Sequence, residues 1–126
     1  MIWMAVALGG ALGSLARHSV NLAFGRLGDG SAAWATAAVN VSGSLVAGIL
    51  AGLIAAERVQ MSPVLRTFVF VGILGGFTTF SSFMLEAFTA GHGRNHALAF
   101  WNVVTQTGLG LLAVSVGYYL ASGSRA

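Results

Sequence analysis

The residue types with the most chemistry stand together at Gly75-Gly76-Phe77-Thr78-Thr79-Phe80-Ser81-Ser82-Phe83, with Glu86 close behind. They interrupt an apolar run, residues 66–90, long enough to cross a bilayer, which takes about 20 helical residues. The paired glycines weaken a helix, and the paired threonines bring β-branched side chains whose hydroxyls compete for backbone hydrogen bonds. Two readings follow. In one, the helix breaks at membrane depth and its freed carbonyls are available to a cation, which requires that protein or water cover the backbone. In the other, the helix is intact and its glycines only admit a close neighbour. Phe80 and Phe83 fall on one helical face. Ring edges are positive and ring faces negative, so edges turned toward a path attract a small anion without a full charge that would trap it. Turned to lipid or core, the same rings merely pack. Ser81 and Ser82 set hydroxyl donors beside them.

These residues must be positioned by membrane helices. Of 126 residues, 56% are hydrophobic and 7% charged, against about 25% charged in soluble domains. One small all-α integral membrane domain over residues 1–126 is expected, with spans at 2–24, 32–56, 66–90 and 96–122. The first is read as a span and not a signal peptide, because Arg17 follows the apolar stretch instead of preceding it. Pro63 suits the first turn of the third helix. Trp3, Trp34, Trp101, Tyr118 and Tyr119 lie near span ends, where aromatic belts form. All six basic residues are arginines and they never cluster, which argues against a nucleic-acid surface. With no cysteine there is no disulfide, thiolate metal site or cysteine nucleophile.

Small and polar residues recur at helical spacing. Gly9 and Gly13 allow close approach of a neighbouring helix. Arg17, near the end of its span, is read as reaching for the interface in preference to pairing with a backbone or acidic group. Thr36, Asn40, Ser44, Gly48 and Gly52 make one stripe on the second span, and Asn102, Gln106 and Gly110 another on the last. At depth the Asn40 amide needs a partner or water. It either bridges helices or faces a pore, and its place in a stripe favours the pore. Polar stripes on three spans exceed what four helices bury in a tight bundle, so association is expected. Glu86, an acid in an apolar span, is a functional candidate. It lies roughly 12 Å along the helix from Thr78, near the membrane edge, where it would organise hydrogen bonds in preference to binding an anion. His92 and His96 are four apart but lack a third ligand, His18 stands alone, and all three read as solvated. No Ser–His–Asp set, paired carboxylates or phosphate-cradling loop is visible, so an enzyme is not expected.

Taken together, GGFTTFSSF followed by Glu86 resembles the GGxTTFSTF…E signature of the Fluc (CrcB-type) fluoride channel family. The GGALGSLAR block ending at Arg17, the Asn40-Val41-Ser42-Gly43-Ser44 block and a glycine-rich last span agree in order, so the resemblance covers essentially the whole chain. It implies an antiparallel, dual-topology homodimer with the third helix broken at mid-membrane. Two equivalent pores would export fluoride passively. One structural sodium ion on the two-fold axis would be held by the backbone carbonyls of Gly75 and Thr78. Asn40, Phe80, Phe83 and Ser81 would line the path, accompanied by Thr36, Ser82, Glu86 and Gln106, with Gly9, Gly13, Arg17 and Gly48 structural. Gln106 stands where the family usually has Ser or Asn, and Ser82 replaces a common Thr.

The charges permit both orientations. Arg58, Arg66 and Arg125 lie toward one side and Arg17, Arg26 and Arg94 toward the other, which leaves the positive-inside rule no preference. Fluoride enters acidified cells as neutral HF and ionises inside. A negative-inside potential then favours its exit by about 2.3 kcal/mol per 100 mV. No pump or nucleotide site is needed, and the expected location is the cell (inner) membrane. The rival reading is a small multidrug exchanger, also a dual-topology dimer of four-span subunits, which binds organic cations through an acid deep in its first span. This chain has no acid there.

Overall fold

The computed structural model describes residues 1–28 and 31–123, so Arg125 of the charge comparison lies outside the described residues. Four helical rods make up the fold. Helix α1 is Ile2–Gly25, α2 is Ser31–Ala55, and the last, here α5, is His96–Ser122. The third rod runs from Pro63 to His92 in two pieces, α3 (residues 63–77) and α4 (Phe80–His92). The expected spans therefore hold to within a few residues at their ends. Pro63 follows the cap residue Ser62, whose hydroxyl accepts the Leu65 N–H at 3.2 Å.

Helices α2 and α5 and the third rod are each long and apolar enough to cross a membrane, which makes this a multi-pass integral membrane protein. Helix α1 has the length, 24 residues, or roughly 36 Å at 1.5 Å per residue. Its apolar character is diluted by Gly9, Gly10, Gly13 and Ser14 and by the Arg17-His18 pair. It is thus the least apolar of the four expected spans.

The third helix is broken. Within α3, residues Thr67–Leu74 adopt the wider turns of a π-helix, and the Gly75 N–H reaches back to Phe70 O as well as Gly72 O. Backbone of this kind marks functional positions more often than ordinary helix. Gly75–Phe77 returns to α geometry, then Thr78 (φ −78°, ψ 160°) and Thr79 (φ −149°, ψ 116°) are extended before α4 begins at Phe80. Of the two readings of the GGFTT stretch, the broken helix and not the intact one is correct.

The rods pair through their small residues. A Cβ added to Gly9 would fall 2.5 Å from Phe68 O and 2.9 Å from the Gly72 Cα. One on Gly13 would strike the Ile73 carbonyl and lie 2.8 Å from Phe77 N, so α1 and α3 touch backbone to backbone in parallel register. Helices α2 and α5 do the same. Ser44 faces Gly110, Gly48 faces Val114 and Gly52 faces Tyr118, each step advancing four residues on both helices. In lipid, where apolar side chains gain nothing by leaving solvent, such close approach is the source of helix affinity. The polar stripe of α2 is therefore turned inward, onto α5, within a single chain. The stripes of α2 and α5 thus cover one another in part, while Thr105, Thr107 and Ser81 stay exposed on the single chain.

Replacing Gly48 with Ala should consequently lower stability by about 1–3 kcal/mol, the usual range for overpacking, since its Cβ would lie 2.9 Å from Val114 Cα. Gly25→Ala, where no atom lies within 4 Å of the added carbon, should stay within about 0.5 kcal/mol. Thermal unfolding of the detergent-solubilised protein compares the two.

Candidate functional site

The break presents two peptide groups to the protein interior that no helix can satisfy. Asn40 takes them. Its Oδ1 accepts the Thr79 N–H at 2.8 Å, while its Nδ2 donates to Thr79 O at 3.0 Å. A side-chain amide thereby takes both backbone groups of one residue, as a neighbouring strand would. The second Nδ2 hydrogen goes to Gln106 Oε1 at 3.2 Å, and Gln106 Nε2 donates in turn to Asn102 Oδ1 at 3.1 Å. Three elements meet in this chain of amides, with α2 supplying Asn40, α5 supplying Gln106 and Asn102, and the break supplying Thr79. Asn40 is thus a bridge between elements in this structure.

Thr79 is the residue that sequence reasoning underrated. It is buried, it gives both backbone groups to Asn40, and its hydroxyl caps α4. The Thr79 Oγ1 accepts the Ser82 N–H at 3.3 Å and donates to Ser82 Oγ at 3.0 Å, with Ser81 Oγ at 3.5 Å. Ser82 and Ser81 therefore gather at the N-terminus of α4, where exposed N–H groups and the helix dipole favour negative charge. The signal was present in the sequence as a Thr ahead of a helix start, a preferred N-cap. It is masked because the Thr pair lies inside one continuous apolar run.

Thr78 has a different role. Its N–H and its hydroxyl both return to Leu74 O, at 3.0 and 2.9 Å, and its carbonyl accepts from Arg17 Nη1 at 3.4 Å. Arg17 is therefore turned inward to the break, not out to the interface as expected. The unpaired carbonyl is the stronger attraction for a guanidinium held beside it by the close α1–α3 contact. Gly75 lies on the outer surface of α3. Its carbonyl loses the usual partner four residues on, since the Thr79 N–H is given to Asn40.

Immediately after the break, Phe80 and Phe83 pack edge to face with ring centroids 6.1 Å apart and planes at 71°. Phe83 is 6% exposed and Phe80 73%, so one ring belongs to the interior and the other stands open on the surface of the single chain. One turn beyond Phe83, Glu86 Oε1 accepts the buried Thr36 hydroxyl at 2.5 Å. Glu86 thus ties α4 to α2, the hydrogen-bonding role expected for it. Of the site residues read from sequence, Thr36, Asn40, Ser82, Phe83, Glu86 and Gln106 lie where α2, α4 and α5 face one another, whereas Phe80 and Ser81 are exposed at the head of α4. Gly9, Gly13 and Gly48 lie in the helix contacts outside this site.

Residues 4–118 match the family described as CrcB-like protein, Camphor Resistance (CrcB). The chain belongs to that family. Among its relatives, a protein of Symbiobacterium thermophilum named "Fluoride-specific ion channel FluC 1" is 40% identical over 98% of this chain and 99% of its own. One of Paracoccus denitrificans, named "Fluoride-specific ion channel FluC", is 42% identical over 96% and 94% respectively. One of Rhodospirillum centenum with the same name is 51% identical over 66% of this chain and 65% of its own. The family is one of ion channels, not enzymes. The matched residues span both helix pairs and the break.

The amide–peptide pairing carries a direct consequence. Asn40→Leu would strand the N–H and the carbonyl of Thr79 in an apolar setting and should destabilise the protein by about 2–5 kcal/mol, at about 1–3 for each unpaired group. The Thr79 amide should exchange its hydrogen faster in this variant, while amides in the middle of α1 keep their wild-type rates. Unchanged protection at Thr79 would show that the clamp is dispensable.

Proposed function

We propose that this protein is a passive, fluoride-selective channel. The observation that carries the reading is its likeness, over nearly the full length of both chains, to proteins named fluoride-specific ion channels. The geometry supports it through the surface around the break. A small anion needs donors and positive ring edges in place of its hydration shell. Hydroxyls of Ser81 and Ser82 and the rings of Phe80 and Phe83 are gathered where α4 begins. Asn40 and Gln106 continue the polar surface inward, and Thr36 with Glu86 lies one turn farther along α4. In this reading Asn40 serves the path both as an amide surface and by fixing the backbone that aims the rings.

Two copies inserted in opposite orientations form the working unit, with two equivalent pores exporting fluoride down its electrochemical gradient across the cell (inner) membrane. An open Phe80 ring suits this, since a surface aromatic beside a polar break is natural where a second copy covers it. Among the described residues, Arg58 and Arg66 flank one end of the bundle and Arg26 and Arg94 the other, so neither orientation is favoured by charge. A sodium ion would be held between the copies by the carbonyls of Gly75 and Thr78. The donor set fits a hard cation, being all oxygen, and Gly75 is exposed with its helical donor diverted. Its chemistry would be structural, compensating carbonyls that the break leaves unpaired. On Thr78 O the ion would take the place of the long Arg17 contact, or share the carbonyl with it. The exchanger reading lacks its acid, since α1 carries none.

Purified protein in liposomes should release fluoride and not chloride, with neither nucleotide nor proton gradient, as followed with ion-selective electrodes. Proton-coupled export of an organic cation without fluoride flux would replace this reading with the exchanger. Phe80→Ile and Phe83→Ile keep much of the apolar volume and remove the positive ring edge. Each should cut fluoride flux roughly two- to tenfold, the rate equivalent of ~0.5–1.5 kcal/mol. Flux unchanged in both would leave the rings with packing alone. Prolonged sodium depletion should reduce dimer stability or flux, and reversal potentials should reveal no sodium carried with fluoride.

A further inference from the structure

The hydrogen bonds that hold the break continue outward in one direction. Asn40 meets both backbone groups of Thr79, so its Oδ1 must face the N–H and its Nδ2 the carbonyl. Turning this amide over would set donor against donor and acceptor against acceptor. The second Nδ2 hydrogen needs an acceptor, which fixes Gln106 with Oε1 toward Asn40 and Nε2 away from it. Gln106 Nε2 then meets Asn102, which must present its Oδ1. Each amide is oriented by the one before it, back to Thr79. One hydrogen on Gln106 Nε2 and both on Asn102 Nδ2 are left without an acceptor among the described residues.

Both side chains line a groove of about 430 Å³ between α2, α4 and α5. Trp34 and Trp101, also in its wall, are largely exposed near the starts of their helices, so the groove opens at the depth of the membrane interface. Thr105 donates its hydroxyl hydrogen to Trp101 O and keeps none for a guest. Glu86 Oε1 accepts from Thr36, and Oε2 has no partner among the described residues. The α5 wall is therefore the donor side of the groove, and Glu86 its acceptor side. We propose that Asn102 is the outer recognition residue of the fluoride path, its amide hydrogens aimed into the groove by the relay through Gln106 and Asn40. This rests on the channel reading above. Donors of this kind stand in for the first waters that an entering anion gives up. Being neutral, they bring no full charge that would trap it. Asn102 meets the ion, and Gln106 is a positioning residue that aligns it.

The chain has four Asn and two Gln residues, so its side-chain amide signals can be resolved by heteronuclear NMR, with the Asn102 pair assigned by its loss in Asn102→Leu. In the detergent-solubilised full chain, sodium fluoride should shift the Asn102 signals saturably, and sodium chloride at equal concentration should not. In liposomes, Asn102→Leu should raise the half-saturating fluoride concentration about tenfold, the equivalent of one hydrogen bond to a charged group, with maximal flux kept within about twofold. Asn102→Asp keeps the acceptor for Gln106 and exchanges the donor for an oxygen, and it should weaken fluoride entry at least as much. Gln106→Met retains Asn102 without its alignment and should diminish the fluoride-induced shift there. If Gln106→Met fails to fold, the Asn102 variants decide alone, since Asn102 lies outside the clamp on Thr79. No shift at Asn102, half-saturation unchanged in Asn102→Leu, or an undiminished shift in Gln106→Met would each overturn the relay, and would leave the channel reading intact if the wild type passes fluoride. A wild type that passes none would remove both.

Discussion

The whole arrangement depends on one side-chain amide that holds both backbone groups of one residue. Membrane-embedded backbone cannot leave its N–H and C=O groups unpaired, at several kcal/mol each in hydrocarbon. A helix interrupted at Thr78–Thr79 would therefore not persist without a substitute partner. Asn40 is that partner, with both hydrogen bonds formed to the same residue. Its remaining hydrogen is fixed by Gln106, so the amide cannot turn away. Arg17 and the Thr79 hydroxyl then take the neighbouring groups, the first on the Thr78 carbonyl and the second on the first turn of α4. Four rods thus converge on two residues of extended chain.

Close packing makes this convergence geometrically attainable. Asn40 reaches the break because α2 is held by α4 through Thr36 and Glu86 and by α5 through its row of small residues. Arg17 reaches Thr78 because α1 lies backbone to backbone on α3 at Gly9 and Gly13. The glycines and the polar residues are parts of one device. Small residues bring helices close enough for short polar side chains to span them, and the polar contacts hold the register that the small residues alone would leave free to slide.

Glu86 ties α4 to its neighbour close to the break. Toward α2 it accepts from Thr36 and helps fix the start of α4 that carries Phe80 and Phe83.

Much of this was legible in the residues themselves. The apolar runs marked the spans, and four-residue spacings marked the stripes, because helical periodicity maps sequence distance directly onto a face. The GGFTTFSSF stretch marked the functional region, since glycine and threonine pairs are conspicuous at membrane depth. Sequence left open whether that stretch was broken, because the break is not a local preference. It is sustained by Asn40, some 39 residues away, and by Arg17, 61 residues away. The direction of each polar stripe was equally undetermined. Periodicity shows that Thr36, Asn40 and Ser44 share a face, but not that the face meets α5 and the break within one chain. Nor did it reveal that Arg17 would prefer a carbonyl to the interface, or that Thr79 would anchor the site. Local sequence decides which groups need partners, and only tertiary packing decides which partners come within hydrogen-bonding reach.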